Sequence, residues 1–261
     1  MIGPEVEIGC DCVVGPHAVL EGEVTLADGV RVQAGARILG PVSVRPCAAI
    51  GSNAVVGGSD PAGETAPILV GHGAVLKAGS VVAESVPANA VVSGNPATIV
   101  SYADARHAAS APDVVLTSSL AAVVTETAVR GVTIHPLTNA RDLRGSLTAA
   151  EFSKLPFIPR RLFTVRDVPS ESVRGSHAHR ECAQFLVCLA GTLSCLVDDG
   201  AVREEIRLEN SEFGLYIPPM IWSTQWRYSR DAVLLVLASH PYDPADYIRD
   251  YDEFLAVLAS G

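Results

Sequence analysis

The chain has 261 residues, enough for two ordinary domains, and 48% are hydrophobic, which is ample for two cores and excludes a disordered chain. A formal net charge of -10 and an isoelectric point near 5.1 exclude nucleic acid and anionic membrane surfaces as main partners, because both would be repelled. No apolar run reaches the length of a membrane span, and Met1-Ile2-Gly3-Pro4-Glu5 lacks the basic and apolar regions of a signal peptide, so a cytoplasmic protein is expected.

The first hundred residues repeat. Steps of six from Ile2 reach Ile8, Val14, Leu20, Leu26, Val32, Ile38, Val44, Ile50 and Val56, and four residues after each comes a small or short apolar residue such as Cys12, Ala18, Val24, Val30 or Ala36. Such a hexad predicts a solenoid in which each repeat forms one flat face and its aliphatic residue fills the coil. The register breaks after Val56 and resumes at Val70, Leu76 and Val82, a step of fourteen where twelve would keep phase, so a loop is expected over Gly57 to Pro67. Val92-Ser93-Gly94-Asn95-Pro96-Ala97 reads as the stop to the coil. The six cysteines (Cys10, Cys12, Cys47, Cys182, Cys188, Cys195) fall at small or apolar positions without CxxC spacing, which predicts reduced, buried thiols.

These hexads, the extruded loop and the run Gly71 to Ala97 resemble left-handed parallel β-helix acyltransferases, in particular sugar N-acetyltransferases acting on nucleotide-linked amino sugars. The resemblance implies a trimer with acetyl-CoA lying between subunits, near Lys77, Ala78, Gly79, Ser80, Asn95 and Pro96. Relatives carry an early histidine as general base. His17 and His72 are the candidates here, and a solvated corner residue is the competing reading for each.

Residues 101–130 keep neither this period nor another and read as a linker, with a helical turn over Ala103 to Ala109. From 131 to 261 the texture changes to short strands, over Val132 to Leu137, Leu162 to Val165, Gln184 to Leu189, Thr192 to Asp198, Val202 to Leu208, Gly214 to Ile217 and Val233 to Ala238. Asp198-Asp199-Gly200 is a hairpin turn. Strands without long helices between them predict an antiparallel sandwich or jelly roll, and the spacing of Tyr247, Tyr251, Phe254 and Leu258 predicts a helical tail from Pro244. The expected whole is therefore all-β, a parallel β-helix over 1–100 followed by an antiparallel sandwich or jelly roll over 131–261.

Chemistry concentrates in Arg174 to Arg180, RGSHAHR. On a strand His177 and His179 point to one face, giving paired imidazoles. Metal-binding cupins follow HxH with a glutamate and a later histidine. This chain has Gln184 and Ser223 at those places, and two imidazoles with an amide and a hydroxyl are a poor donor set, so no metal is expected.

Gly131 to Leu258 resembles the cupin sugar-nucleotide 3,4-ketoisomerases, or WxcM-like proteins, through Arg141 to Leu147, RGSHAHR, Val197 to Gly200, Gly214-Leu215-Tyr216, Val236 to Ser239 and Tyr242 to Arg249. The resemblance implies isomerisation of dTDP-4-keto-6-deoxyglucose to a 3-keto sugar, one of His177 and His179 taking the C3 proton. Arg174 and Arg180 are candidates for diphosphate or oxyanion, and Tyr216 and Trp222 for stacking on sugar or thymine. Some relatives place a histidine directly after the tryptophan where this chain has Ser223, which bears on the side of reprotonation. Joined, the halves imply a bifunctional enzyme. The cupin isomerises the keto sugar, a separate aminotransferase acts at C3, and the β-helix acetylates the amine of a dTDP-3-amino-3,6-dideoxyhexose. Trimers through the helix and pairing through the cupin imply a hexamer. The competing readings are an isomerase with a β-helix scaffold, and a non-catalytic sugar-nucleotide binding protein.

Overall fold

The six-residue period folds into three parallel sheets that share one interior. The computed structural model describes residues 1–57, 67–107, 123–143, 145–170 and 172–260, in two units, Met1–Asp104 and Ala105–Gly261. In the first unit one sheet stacks Val6–Ile8, Val24–Leu26, Val42–Val44 and Ile68–Val70. A second stacks Val19–Glu21, Arg37–Leu39, Val55–Gly57 and Val81–Val82. The third runs Val13–Val14, Arg31–Val32, Ala49–Ile50, Val75–Leu76, Ala90–Gly94 and finally Ala97–Tyr102, which folds back antiparallel on Ala90–Gly94.

Hexad residues fall into three inward columns because successive hexads take successive faces. Leu20, Ile38 and Val56 stack on one face, Leu26, Val44 and Val70 on the next, and Val32, Ile50 and Leu76 on the third. The small residues between them, Ala36, Ala48, Ala54 and Ala74, are wholly buried. Corners need left-handed backbone. Asp11, Gly29, Cys47 and Gly73 share one corner, and His17, Gly35, Asn53 and Gly79 another, all with positive φ. Val42 pairs with Ile68, a longer step than the 18 residues from Val24 to Val42. The inserted stretch is therefore eight residues rather than the two read from the hexad count, because Val56 to Val70 advances the chain by only one face. Most of the expected loop, 58–66, lies outside the described residues, as does 108–122 of the expected linker.

Ile38 is fully buried between Leu20 and Val56. Ile38→Ala removes most of a core side chain that its stacked neighbours cannot collapse to replace, and is expected to cost about 3 kcal/mol. The lowered solenoid transition in chemical denaturation is the check.

The second unit is a sandwich of two six-stranded sheets. One holds Arg106–His107, Arg203–Leu208, Leu193–Asp198, Trp222–Trp226, Arg174–His179 and Tyr247–Ile248. The other holds Thr125–Glu126, Thr133–Pro136, Phe213–Ile217, Gln184–Ala190, Val233–Ala238 and Arg161–Arg166. Leu186, Cys188, Leu215, Ile217, Leu234 and Val236 of the second sheet meet Leu193, Cys195, Val197, Ile206 and Leu208 of the first. The hairpin of Thr138–Asp142 with Gly145–Ala149 stands apart as a two-stranded ribbon.

Three expectations are corrected. The tail is helical only over Tyr251–Ser260; Pro244–Asp246 is a short 3-10 turn and Tyr247–Ile248 a strand paired with Ala178 and His179. Ala103 to His107 forms a turn and a short strand rather than a helical turn. Cys10 and Cys47 are exposed on the solenoid and Cys12 half-buried, so the thiols are free but only Cys182, Cys188 and Cys195 are buried. Among the described residues no helix is long and apolar enough to cross a membrane.

Candidate active site

The histidine pair faces the sandwich interior because of a bulge. Arg174 pairs with Gln225 and Gly175 with Thr224, but His177 with Ser223, and the extra residue is absorbed by left-handed backbone at Gly175 (φ 80°) and Ser176 (φ 53°). A Cβ on Gly175 would lie 2.8 Å from the Ser223 carbonyl oxygen, so the position requires glycine on both counts. Beyond the bulge His177 and His179 share the face that Ser223, Gln225 and Val197 also use.

The two Nε2 atoms are 3.2 Å apart and the rings meet edge to face. His179 Nδ1 lies 2.7 Å from Asp246 Oδ2, which places the proton on Nδ1 and leaves the Nε2 lone pair to accept from the Gln184 amide at 3.0 Å. The other Asp246 oxygen accepts from the backbone N–H of Glu181 at 2.7 Å and of Cys182 at 3.4 Å. Burial opposes ionisation of Asp246, yet these donors and His179 hold its carboxyl below the ordinary value. Gln184 begins the strand whose alternate residues Leu186 and Cys188 line the core, so it enters from the opposite sheet.

Burial pushes His177 down to about 4. The Gly175 backbone counters it, while His179 and Arg249 add to it. Among the described residues the buried His177 Nδ1 has no hydrogen-bond partner of good geometry. His179 is lowered by burial too, against the opposing pull of Asp246 and with help from Arg161 and Arg249. Both rings are therefore neutral at neutral pH, and each can accept a proton.

Tyr247 covers the pair, its ring centroid 4.8 Å from His177 and 4.4 Å from His179. The Arg249 guanidinium sits 4.4 Å from the Tyr247 ring, and Arg161 donates to the Tyr247 hydroxyl at 3.5 Å while its buried Nε has no hydrogen-bond partner among the described residues. Tyr242, mostly exposed, faces both Tyr247 and Arg161. Asp246, Tyr247, Arg161 and Arg249 were not expected from the sequence. The Asp246 to Arg249 run falls within the family-like stretch, but its spacing mimicked a helix.

The structure brings His177, His179 and Ser223 together and separates the other expected residues. Arg174 is exposed on the far side of the bulge. Arg180 is turned outward and ion-paired with Glu253. Tyr216 lies on the outer face of its sheet, against His135 and Phe157. Trp222 is 5% exposed and packs beneath Tyr251 and Phe254 of the C-terminal helix. Tyr251 also donates to Asp198 at 2.6 Å, and Arg203 pairs with the same carboxylate, pinning that helix to the sheet. In the solenoid, His17 is exposed at one corner and His72 half-buried at another, so they do not converge. Lys77, Ala78 and Gly79 are exposed in a corner whose Ser80, wholly buried, donates to the Lys77 carbonyl. Asn95 and Pro96 form the tip of the terminal hairpin.

A cupin sandwich with neutral paired imidazoles, one oriented by a carboxylate, defines a class able to move protons on a bound organic substrate. Residues 130–259 match the family described as WxcM-like, C-terminal (FdtA), and residues 5–40 match the bacterial transferase hexapeptide repeat. Over 119 residues the chain is 44% identical to the TDP-4-oxo-6-deoxy-alpha-D-glucose-3,4-oxoisomerase of Aneurinibacillus thermoaerophilus, covering 45% of this chain and 86% of that protein. The 3,4-ketoisomerase QdtA of Thermoanaerobacterium thermosaccharolyticum in complex with TDP superposes with a TM-score of 0.50 at 32% identity, over 51% of this chain and 97% of that one. A mutant of the same enzyme in complex with TDP-4-keto-6-deoxyglucose gives 0.50 at 31%, over 51% and 96%. The chain belongs to the WxcM-like family, with a hexapeptide-repeat solenoid at its N-terminus.

Proposed function

We propose that the C-terminal unit isomerises dTDP-4-keto-6-deoxyglucose to its 3-keto isomer. The observation that carries the reading is the contact between two neutral imidazoles, one held by Asp246. A C3–H beside a C4 ketone is acidic enough for such a base when the enediolate is stabilised. One imidazole takes the C3 proton and a proton is delivered to C4, while the O3 hydroxyl proton passes to O4. The short Nε2 to Nε2 contact lets a proton cross between the rings. Arg161 and Arg249 take the anion-binding role that the sequence suggested for Arg174 and Arg180, and Tyr242 is the exposed aromatic available for stacking. Family membership and the oxoisomerase relative support the substrate. Proton NMR in deuterium oxide tests it. The keto sugar nucleotide should lose its C3 hydrogen and convert; an unchanged C3 signal would leave a non-catalytic binding protein.

The acid limb of kcat/KM is the second expectation. The working rings must be neutral, and burial lowers both pKa values, His177 to about 4. The acid limb should therefore lie below the ordinary histidine value near 6.5, begin where His179 takes its proton, and be complete as His177 titrates at about 4. The same shift has a stability sign. The unfolded chain binds these protons first, so stability declines as pH falls from about 6.5 toward 4.

For the solenoid we infer acetyl transfer from acetyl-CoA to the amine of a dTDP-3-amino-3,6-dideoxyhexose, in a trimer, with His17 or His72 as base and Lys77 to Ser80 and Asn95-Pro96 against the co-substrate. The hexapeptide-repeat match supports this reading. Calorimetry with acetyl-CoA tests it: absence of heat, together with no acetylated product, would leave a scaffold for assembly.

A further inference from the structure

Beside the proton-transfer pair lies a thiol that catalysis does not use, Cys182, grouped with His179 and Asp246. A ring nitrogen of His179, the Cys182 thiol and an Asp246 carboxylate oxygen all lie within 4.8 Å of one another. Cys182 is 4% exposed and follows His179 by three residues on the turn out of the strand. Its sulfur receives a weak contact from the Ser239 hydroxyl at 3.9 Å and itself points to the Ala183 carbonyl at 3.4 Å. Ser239 Oγ is 2.8 Å from Nδ1 of His240, which is exposed. His240 and Asp246 line one open pocket with Arg180, Glu181 and Asp243, so solvent reaches Asp246 there. The Arg180 charge beside that route is already met by Glu253.

From these positions we infer that His179, Cys182 and Asp246 form an inhibitory site for a borderline-soft divalent cation of the zinc class. Imidazole nitrogen, thiolate and carboxylate are the donors zinc takes, with a water in the fourth place. Tetrahedral coordination brings such donor atoms to roughly 3.5 Å from one another, so on binding the widest separation here closes by about 1 Å while the 2.7 Å contact of Nδ1 with Asp246 opens. The proton balance is definite. The thiol proton leaves to solvent, and zinc on Nδ1, the nitrogen facing Asp246, moves the ring proton of His179 to Nε2. That nitrogen then has no lone pair to exchange with His177, and Asp246 no longer orients the ring. Cation binding and proton transfer exclude each other because they need opposite tautomers of one imidazole.

The inhibitory consequence rests on the isomerase reading; the binding site does not, and two readouts keep them apart. Cobalt(II) chloride titrated into the full-length protein should give a thiolate-to-metal charge-transfer absorption in the near ultraviolet that Cys182→Ala lacks. A band of equal strength in the variant, arising from the other thiols, or no band in either protein, would overturn the site. In the second readout, zinc chloride should abolish isomerisation by the wild-type enzyme. Cys182→Ala should turn over normally without metal and need about 100-fold more zinc for the same inhibition. Equal zinc sensitivity in the two proteins would overturn the inhibitory role even where the cobalt band assigns Cys182 as a ligand.

Discussion

His177→Asn and His179→Asn should each lower kcat for the ketoisomerisation by about 10²- to 10⁴-fold, the range that a positioned general acid or base contributes. Neither change should unfold the sandwich. Asparagine is smaller than histidine and polar, His177 leaves a ring against Tyr247 rather than in the apolar core, and His179 leaves the Gln184 amide, which can turn to the new side chain. The two variants should fail differently. Loss of C3 exchange in deuterium oxide marks the ring that takes the proton; exchange that continues without product marks the ring that passes it on. Because the pair is linked at 3.2 Å, the double variant should be little slower than the worse single one, as for groups acting as a unit. Wild-type C3 exchange in the double variant would remove the pair from the mechanism.

Asp246→Asn should be nearly as damaging although Asp246 touches no substrate. The carboxylate serves two sets of donors, His179 Nδ1–H on one oxygen and the Glu181 and Cys182 backbone N–H groups on the other. An amide has one oxygen. If that oxygen faces His179, the NH2 group opposes the backbone donors; if it faces the backbone, the NH2 donates to Nδ1 and drives the ring proton to Nε2, where the lone pair is needed. The expected result is a fall in kcat of about 10²- to 10³-fold with KM little changed. The remaining activity should show its acid limb at lower pH, since Asp246 raises the His179 pKa and its charge is lost. Nitrogen chemical shifts of labelled histidine distinguish this from general loosening, because only the positioning role predicts a changed tautomer. Wild-type kcat in this variant would mean that orientation of His179 does not limit the reaction.

The solenoid was readable because its period is written in every turn: a residue that must be large and buried recurs each six positions, and Leu20, Ile38 and Val56 stack as that pattern requires. The insertion is longer than the hexad count implies because hexads count residues, while pairing counts faces. In the sandwich, the two-residue spacing of His177 and His179 was enough to put both on one face. The same alternation places Arg180 on the other, and there it pairs with Glu253. Tyr216 and Trp222 were harder: the Tyr216 strand is apolar on both faces, and on the Trp222 strand it is the polar Ser223 and Gln225 that share the histidines' face while the tryptophan takes the other. Asp246 and Tyr247 were hidden by coincidence, because Tyr247 stands four residues before Tyr251 and so imitates the next turn of a real helix. The bulge at Gly175 and Ser176 depends on backbone angles, and only the glycine hints at it.

The carboxylate that sets the His179 tautomer lies 67 residues further along the chain. During synthesis both sheets of the sandwich are almost complete before that residue is made, so a nascent chain carries its two imidazoles for some time without the group that tells them which nitrogen holds the proton. Competence therefore arrives late and abruptly, with the segment that carries Asp246, and chains halted short of it lack an oriented base.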